Sequence, residues 1–142
     1  GGGGGACYFQ TSNVSILASE LHDNEGRHGG TCVLSDGSTA LISKSSFLNS
    51  NHADYGALAS FNSALKVIDS IFAGHQGRTW GWVGRGDQYL QGGCVYVEGG
   101  TVYIDGSSFT DSAAYYGAAL YLYETAATVL NSLMARNHAE YG

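Results

Sequence analysis

Apolar residues two apart recur along the chain as Val14/Ile16, Ala40/Ile42, Leu65/Val67, Val102/Ile104 and Ala127/Val129. Spacing two is strand spacing, because successive side chains of a strand leave opposite faces. Between the paired residues stand Ser15, Leu41, Lys66, Tyr103 and Thr128, mostly polar or amphipathic, as an outward face requires. Five residues past each pair comes Leu21, Phe47, Phe72, Phe109 or Met134, and two before that a serine: Ser19, Ser45, Ser70, Ser107 or Ser132. The pattern predicts a short strand over each apolar pair, another after each of a series of glycines (6–9, 31–34, 57–60, 94–97 and 118–121), and a third near the Phe/Met column. No stretch sustains the 3.6-residue period of an amphipathic helix.

The glycines set the register independently. The hexads Asn51-His52-Ala53-Asp54-Tyr55-Gly56 and Asn137-His138-Ala139-Glu140-Tyr141-Gly142 differ only by Asp for Glu. With their looser relatives they place a glycine at 5, 30, 56, 93, 117 and 142, giving intervals of 25, 26, 37, 24 and 25 residues. That is five copies of one unit, with an insertion in the third. A propeller blade needs about 40 residues per repeat, and a leucine-rich horseshoe would show its Leu/Asn consensus. The reading that remains is all-β: a right-handed parallel β-helix, or solenoid, of about five coils with ~25 residues and three short strands in each. The Val/Ile and Phe/Met columns become inward ladders, and five coils at the sheet spacing of ~4.8 Å span roughly 24 Å. Left-handed helices run on hexapeptides, a period this chain lacks.

Composition narrows the classes of function. The chain has 142 residues, 22 of them Gly and none Pro, and only 13% are charged. A Gly share this high opposes a helical fold, since interior Gly costs a helix ~1 kcal/mol. The net charge is −6 and the six basic residues are scattered, which leaves no electropositive stripe for nucleic acid. No apolar run approaches the ~20 residues of a membrane span. The chain opens on Gly1 to Gly5, a linker or the trimmed edge of something longer, and closes on Tyr141-Gly142, the start of a further coil. Residues 1–142 are therefore expected to be one β-helix segment of a longer solenoid. The three cysteines form no CxxC pair and no ligand-spaced Cys/His cluster, so neither metal nor cofactor is implied.

Candidate chemistry is sparse. The acids are dispersed; Asp69 and Asp105 fall near one turn, but Gly106 shares the column of Asp69. The serine column reads as turn hydroxyls bonded to backbone. His52 and His138 read as turn residues of the repeated hexad, and His75 joins Asn24, Ser50, Ser112 and Asn137 in a polar corner column. The insertion at 74–91 differs in kind, holding Arg78, Trp80, Trp82, Arg85 and Tyr89 among several glycines. These residue types are enriched in binding hot spots, and scaffold loops carry function. The loop is a candidate contact for a protein or glycan partner; the alternative is that its tryptophans pack on a coil. Tyr116 and Tyr141 are expected to stack as equivalent residues of neighbouring coils. Cys7 and Cys32 also share a site in adjacent coils, near enough for a disulfide, but parallel neighbours hold their Cβ atoms apart, so stacked thiols are expected. Cys94, one residue after its glycine, is expected on the opposite strand face with a free thiol.

Gly-Gly followed by a small residue and apolar residues, with Ser-x-Phe and a nearby Asn later in the coil, resembles the polymorphic outer-membrane protein (POMP) repeat of chlamydiae and its relatives in large secreted proteins of algae and protists. The resemblance implies a pectin-lyase-like right-handed β-helix, extracellular or at the cell surface, acting as an adhesin or scaffold. A non-enzymatic structural or adhesion module is thus the expected function. The alternatives are a segment of a polysaccharide lyase or hydrolase, and a subunit that stacks end to end as a filament. Expected partners are a protein or glycan at the third-coil loop, further coils of the same parent chain, or a second copy.

If the paired columns face inward, Ile104→Asp buries an unpaired carboxylate and costs several kcal/mol in denaturant unfolding, while Tyr103→Asp costs far less. Equal losses would contradict the assignment.

Overall fold

A computed structural model describes residues 3–26, 28–52, 54–77 and 91–141. Every named element is a strand, and every strand pairs in parallel with its counterpart one coil away. The coils make a parallel β-solenoid of five turns, and neighbouring Cα atoms stand 4.7 Å apart where Cys7 lies against Cys32. The paired columns fall in the expected register: Val14, Ala40, Leu65, Val102 and Ala127 form one file, Ile16, Ile42, Val67, Ile104 and Val129 the next.

The first, second and fifth coils carry four strand segments where three were expected, and the third and fourth carry three. In the first coil they are Cys7–Gln10, Asn13–Leu17, Glu20–His22 and Glu25–Gly26. In the third and fourth coils the first two merge into Leu58–Ile68 and Val95–Asp105. The unexpected fourth segment forms a sheet of its own through Asn51–His52, Gln76–Gly77, Ala113–Tyr116 and His138–Tyr141. Its residues show no common apolar alternation, which is why its period is invisible in sequence.

The core is a set of ladders. Phe47, Phe72 and Phe109 are fully buried, with ring centroids 4.7 and 5.1 Å apart and planes within 12° of parallel. Such pairs contribute about 0.5–1.5 kcal/mol beyond the area they bury. Ile42, Val67 and Ile104 are likewise fully buried.

Corners are turned by single residues in the left-handed region. Along one corner these are Ala18, Lys44, Asp69, Gly106 and Asn131; along another Asp23, Asn49, Gly74, Asp111 and Arg136. Asp, Asn and Gly dominate because a short polar side chain or none tolerates positive φ. Gly106 has a second reason: a Cβ there would come within 2.5 Å of Asp69 Oδ1 in the coil before.

The residue after each such turn repairs the broken backbone pairing. Ser45, Ser70, Ser107 and Ser132 each accept a hydrogen bond at Oγ from the N–H of the matching serine one coil earlier, at 3.1–3.2 Å. Each also donates to the carbonyl two residues back, as Ser107 does to Asp105 at 3.0 Å. The Asn/Ser/His column works alike: Ser50 N–H donates to His75 Nδ1, His75 N–H to Ser112 Oγ, and Ser112 N–H to Asn137 Oδ1. A further hydroxyl file at the first corner includes Ser12, Ser38, Ser63 and Thr125. It was not read from the sequence, because Gly37 adds a residue in one coil and Gly100 replaces the hydroxyl in another.

Two registers need correction. Tyr55 bridges Gln91, which bridges Tyr116, so Gly92 rather than Gly93 shares the column of Gly56 and Gly117. The near-identical hexads are also not equivalent throughout. Asn51 stands in the column of His138, through Gln76 and Ala113, and only the tyrosines coincide. The span from Ser50 to Tyr55 is one residue longer than that from Asn137 to Tyr141.

Two buried serines give opposite expectations for the same substitution. Ser107→Ala orphans the Ser70 N–H and is expected to destabilise by about 1–3 kcal/mol. Ser60 Oγ is buried with no hydrogen-bond partner among the described residues, so Ser60→Ala is expected to be neutral or stabilising in thermal unfolding. Equal losses at both sites would contradict the ladder.

Candidate functional site

In sequence, the third-coil insertion lies between the strand Gln76–Gly77 and Gln91. Arg78, Trp80, Trp82, Arg85 and Tyr89 lie outside the described residues. Gln91 is flanked by Tyr55 in the coil before and Tyr116 in the coil after. Both belong to a row of aromatic rings that crosses the coils on the outside of the first sheet.

The row runs from His28 to Tyr55 (5.9 Å between centroids), Tyr96 (4.5 Å), Tyr121 (5.2 Å), Tyr116 (6.3 Å) and Tyr141 (5.8 Å). Phe61 braces it, 5.2 Å from Tyr55 and 5.5 Å from Tyr96. Beneath lie the outward residues Val33 and Ala59, buried despite their direction. Tyr96 is only 3% exposed and donates its hydroxyl to Glu98 Oε2 at 2.7 Å. Burial, then the Glu98 contact, pushes its phenol far above the ordinary range, so it stays a neutral donor. Tyr96 therefore supports the row, whereas Tyr8, Tyr123 and Tyr141, each about half exposed, offer ring faces to solvent.

Tyr116 and Tyr141 are equivalent, as expected, with planes tilted by 43°. The row as a whole was missed because its members come from different columns. A period reveals residues stacked along the axis but not rings that meet sideways from separate segments.

A second feature lies further along the same sheet, on the outer face of the second strand segments. The columns of Asn13 and Ser15 form the walls of a trough of about 700 Å³, floored by backbone between them. Its walls carry hydroxyls, including Ser15, Thr39, Thr101 and Thr128, and Lys66 is the one charged residue lining it. The Lys66 ammonium lies over the Tyr103 ring, 5.2 Å from its centroid, a cation–π contact between neighbouring coils.

No known protein family, curated protein or solved structure matches this chain. What the surface can do is thus a question of its own chemistry. Several carboxylates are engaged by side chains nearby: Asp36 accepts from Gln10, Asp105 from Asn131, and Asp111 takes a bidentate contact from Arg136. Asp54 pairs with His28 at 3.1 Å. Among the described residues no group of His, Cys, Asp and Glu is arranged to hold a metal ion.

The cysteines depart from expectation. Cys7 and Cys32 form a disulfide instead of stacked thiols, because a Cα separation of 4.7 Å lies inside the bridging range. Cys94 has a free thiol but does not face outward. It stands at the corner just before the first core strand, in the column of Thr31 and Ala57, which are fully buried as well. There Thr31 turns inward to Ser50 Oγ at 2.6 Å, and Cys94 does likewise with Sγ 3.1 Å from Ser112 Oγ. Burial raises its pKa to about 12, so the reactive thiolate is suppressed.

Alkylation followed by intact-mass measurement checks both assignments. The folded protein is expected to take no label, the denatured unreduced protein one label, at Cys94, and the denatured reduced protein three. Three labels without reductant would contradict the bridge.

Proposed function

We propose that this chain is a non-catalytic structural and adhesion module, displayed outside the cell, that contacts protein or glycan partners through its aromatic outer face. The observation that carries the reading is the continuous row from His28 to Tyr141, a broad amphipathic surface held rigid by the ladders beneath it. Tyrosine gives large contact area at low entropic cost, with a hydroxyl to fix orientation. The Cys7–Cys32 disulfide favours an oxidising compartment. Carboxylates already tied to nearby partners favour support over acid–base catalysis. The finer identity, a right-handed helix of the POMP-like, pectin-lyase-like kind, belongs to this proposal, as does a contribution to partner contact from Arg78, Trp80, Trp82, Arg85 and Tyr89, whose residue types are those enriched in binding hot spots.

The trough favours a second reading, in which a polysaccharide lies along the solenoid on Tyr103 and Lys66, as a carbohydrate-active segment would hold it. Binding to arrayed glycans and extracellular proteins separates the two. Tyr121→Ala with Tyr123→Ala is expected to weaken capture about tenfold or more without lowering the melting temperature much, while Tyr103→Ala leaves it unchanged. Loss confined to Tyr103→Ala and Lys66→Ala would shift the site to the trough, and undiminished binding by every variant would refute the aromatic surface.

A further inference from the structure

Asn13-Val14-Ser15 reads Asn-x-Ser with no proline between, the acceptor signal for an N-linked glycan. No other asparagine of the chain has serine or threonine two residues on. Asn49, Asn62 and Asn131 turn corners at left-handed φ, and Asn137 accepts the Ser112 N–H. Asn13 does neither. It stands in the strand Asn13–Leu17, although asparagine is a poor strand former, in a file that continues as Thr39, Ala64, Thr101 and Ala126.

Asn13 and Ser15 are two apart in a strand, so both leave the outward face, and both are exposed. That exposure follows from direction, since Thr39 and Thr101 in the same file are exposed with a coil on either side. Thr39 Oγ1 donates to Asn13 Oδ1 across the coils, and no described residue engages Nδ2. The free nitrogen belongs to the wall of the trough of about 700 Å³. A sugar joined there meets backbone and the hydroxyls of Thr39 and Thr101 and displaces no core side chain. The Thr39 contact survives the modification, because only Nδ2 is substituted. The Cys7–Cys32 bridge is a separate observation that fits the oxidising compartment in which such glycans are added.

We propose that Asn13 is an N-glycosylation site whose first sugars occupy the Asn13 end of the trough. The site rests on the extracellular placement proposed above. Its donor is a lipid-linked oligosaccharide, used by a membrane transferase before the strand is packed. The bond from Nδ2 to the anomeric carbon forms as that carbon's bond to the diphosphate oxygen breaks. The lipid diphosphate leaves with the electron pair, and one Nδ2 proton passes to the transferase. The trough is then covered by the chain's own carbohydrate, and partner contact is left to the aromatic row.

Glycopeptide mass spectrometry on the chain taken from the cells that make it tests the site, with the cysteine state read by alkylation. The reduced tryptic peptide ending at Arg27 is expected to carry an oligosaccharide, and enzymatic release is expected to leave aspartate at position 13 while Asn24 stays asparagine. Made in the same cells, Asn13→Gln and Ser15→Ala are expected to lose the glycan completely and keep the disulfide, and Ser15→Thr to keep both. Bridged protein in the medium with Asn13 unmodified would overturn the proposal and leave the extracellular reading standing. Unmodified protein held inside the cell with free thiols would overturn both. A glycan that persists in Asn13→Gln would place the sugar elsewhere and overturn the site as well.

Discussion

Each coil must lay its side chains over their counterparts in the coil before, at the 4.7 Å spacing of parallel strands, and the rest of the structure follows from that constraint. A residue that packs badly on its own kind cannot stand in the core files, so Phe47, Phe72 and Phe109 share one file and Ile42, Val67 and Ile104 another. The same demand fixes the corners. A chain that bends without losing register needs a one-residue turn, which explains the succession of left-handed Asp, Asn and Gly, and it needs a hydroxyl or amide to stand in for the interrupted backbone bond. Where coils differ in length, the extra residue is confined to a corner, as between Gly92 and Val95.

Function is constrained by the same geometry. Ladders make a rigid body whose surface repeats every coil, well suited to presenting rows of side chains. Over the first strand segments the row is aromatic, supported by Tyr96 and Phe61; over the second it is a hydroxyl-walled trough with a single ammonium. Several acids meet a partner one coil away, because stacked corners bring Asp105 to Asn131 and Asp111 to Arg136. Charge in this molecule largely strengthens the stacking, and contact surface is left to the aromatic residues.

The sequence made legible whatever repeats along the axis: the paired apolar files, the Phe/Met file, the serine file and the corner around His75. It concealed what repeats irregularly or not at all. The fourth strand, from Glu25–Gly26 to His138–Tyr141, has no shared residue type. The aromatic row joins Tyr55, Tyr116 and Tyr141 of one column to Tyr96 and Tyr121 of another. Sequence likeness even misled, since the hexads beginning at Asn51 and Asn137 come into register only at their tyrosines. The inward turn of Cys94 was lost because it sits at a corner ahead of its strand, as Thr31 does in the same column, where the alternation on which a facing argument depends does not hold.

Methyl–methyl nuclear Overhauser contacts test the central claim, residue-on-residue stacking of coils, most directly. With the isoleucine and valine methyls labelled, Val67 is expected to show cross-peaks to both Ile42 and Ile104, its neighbours in the file, and Ile42 none to Ile104, two coils away. A direct Ile42–Ile104 contact, or a Val67 that sees neither, would contradict the account.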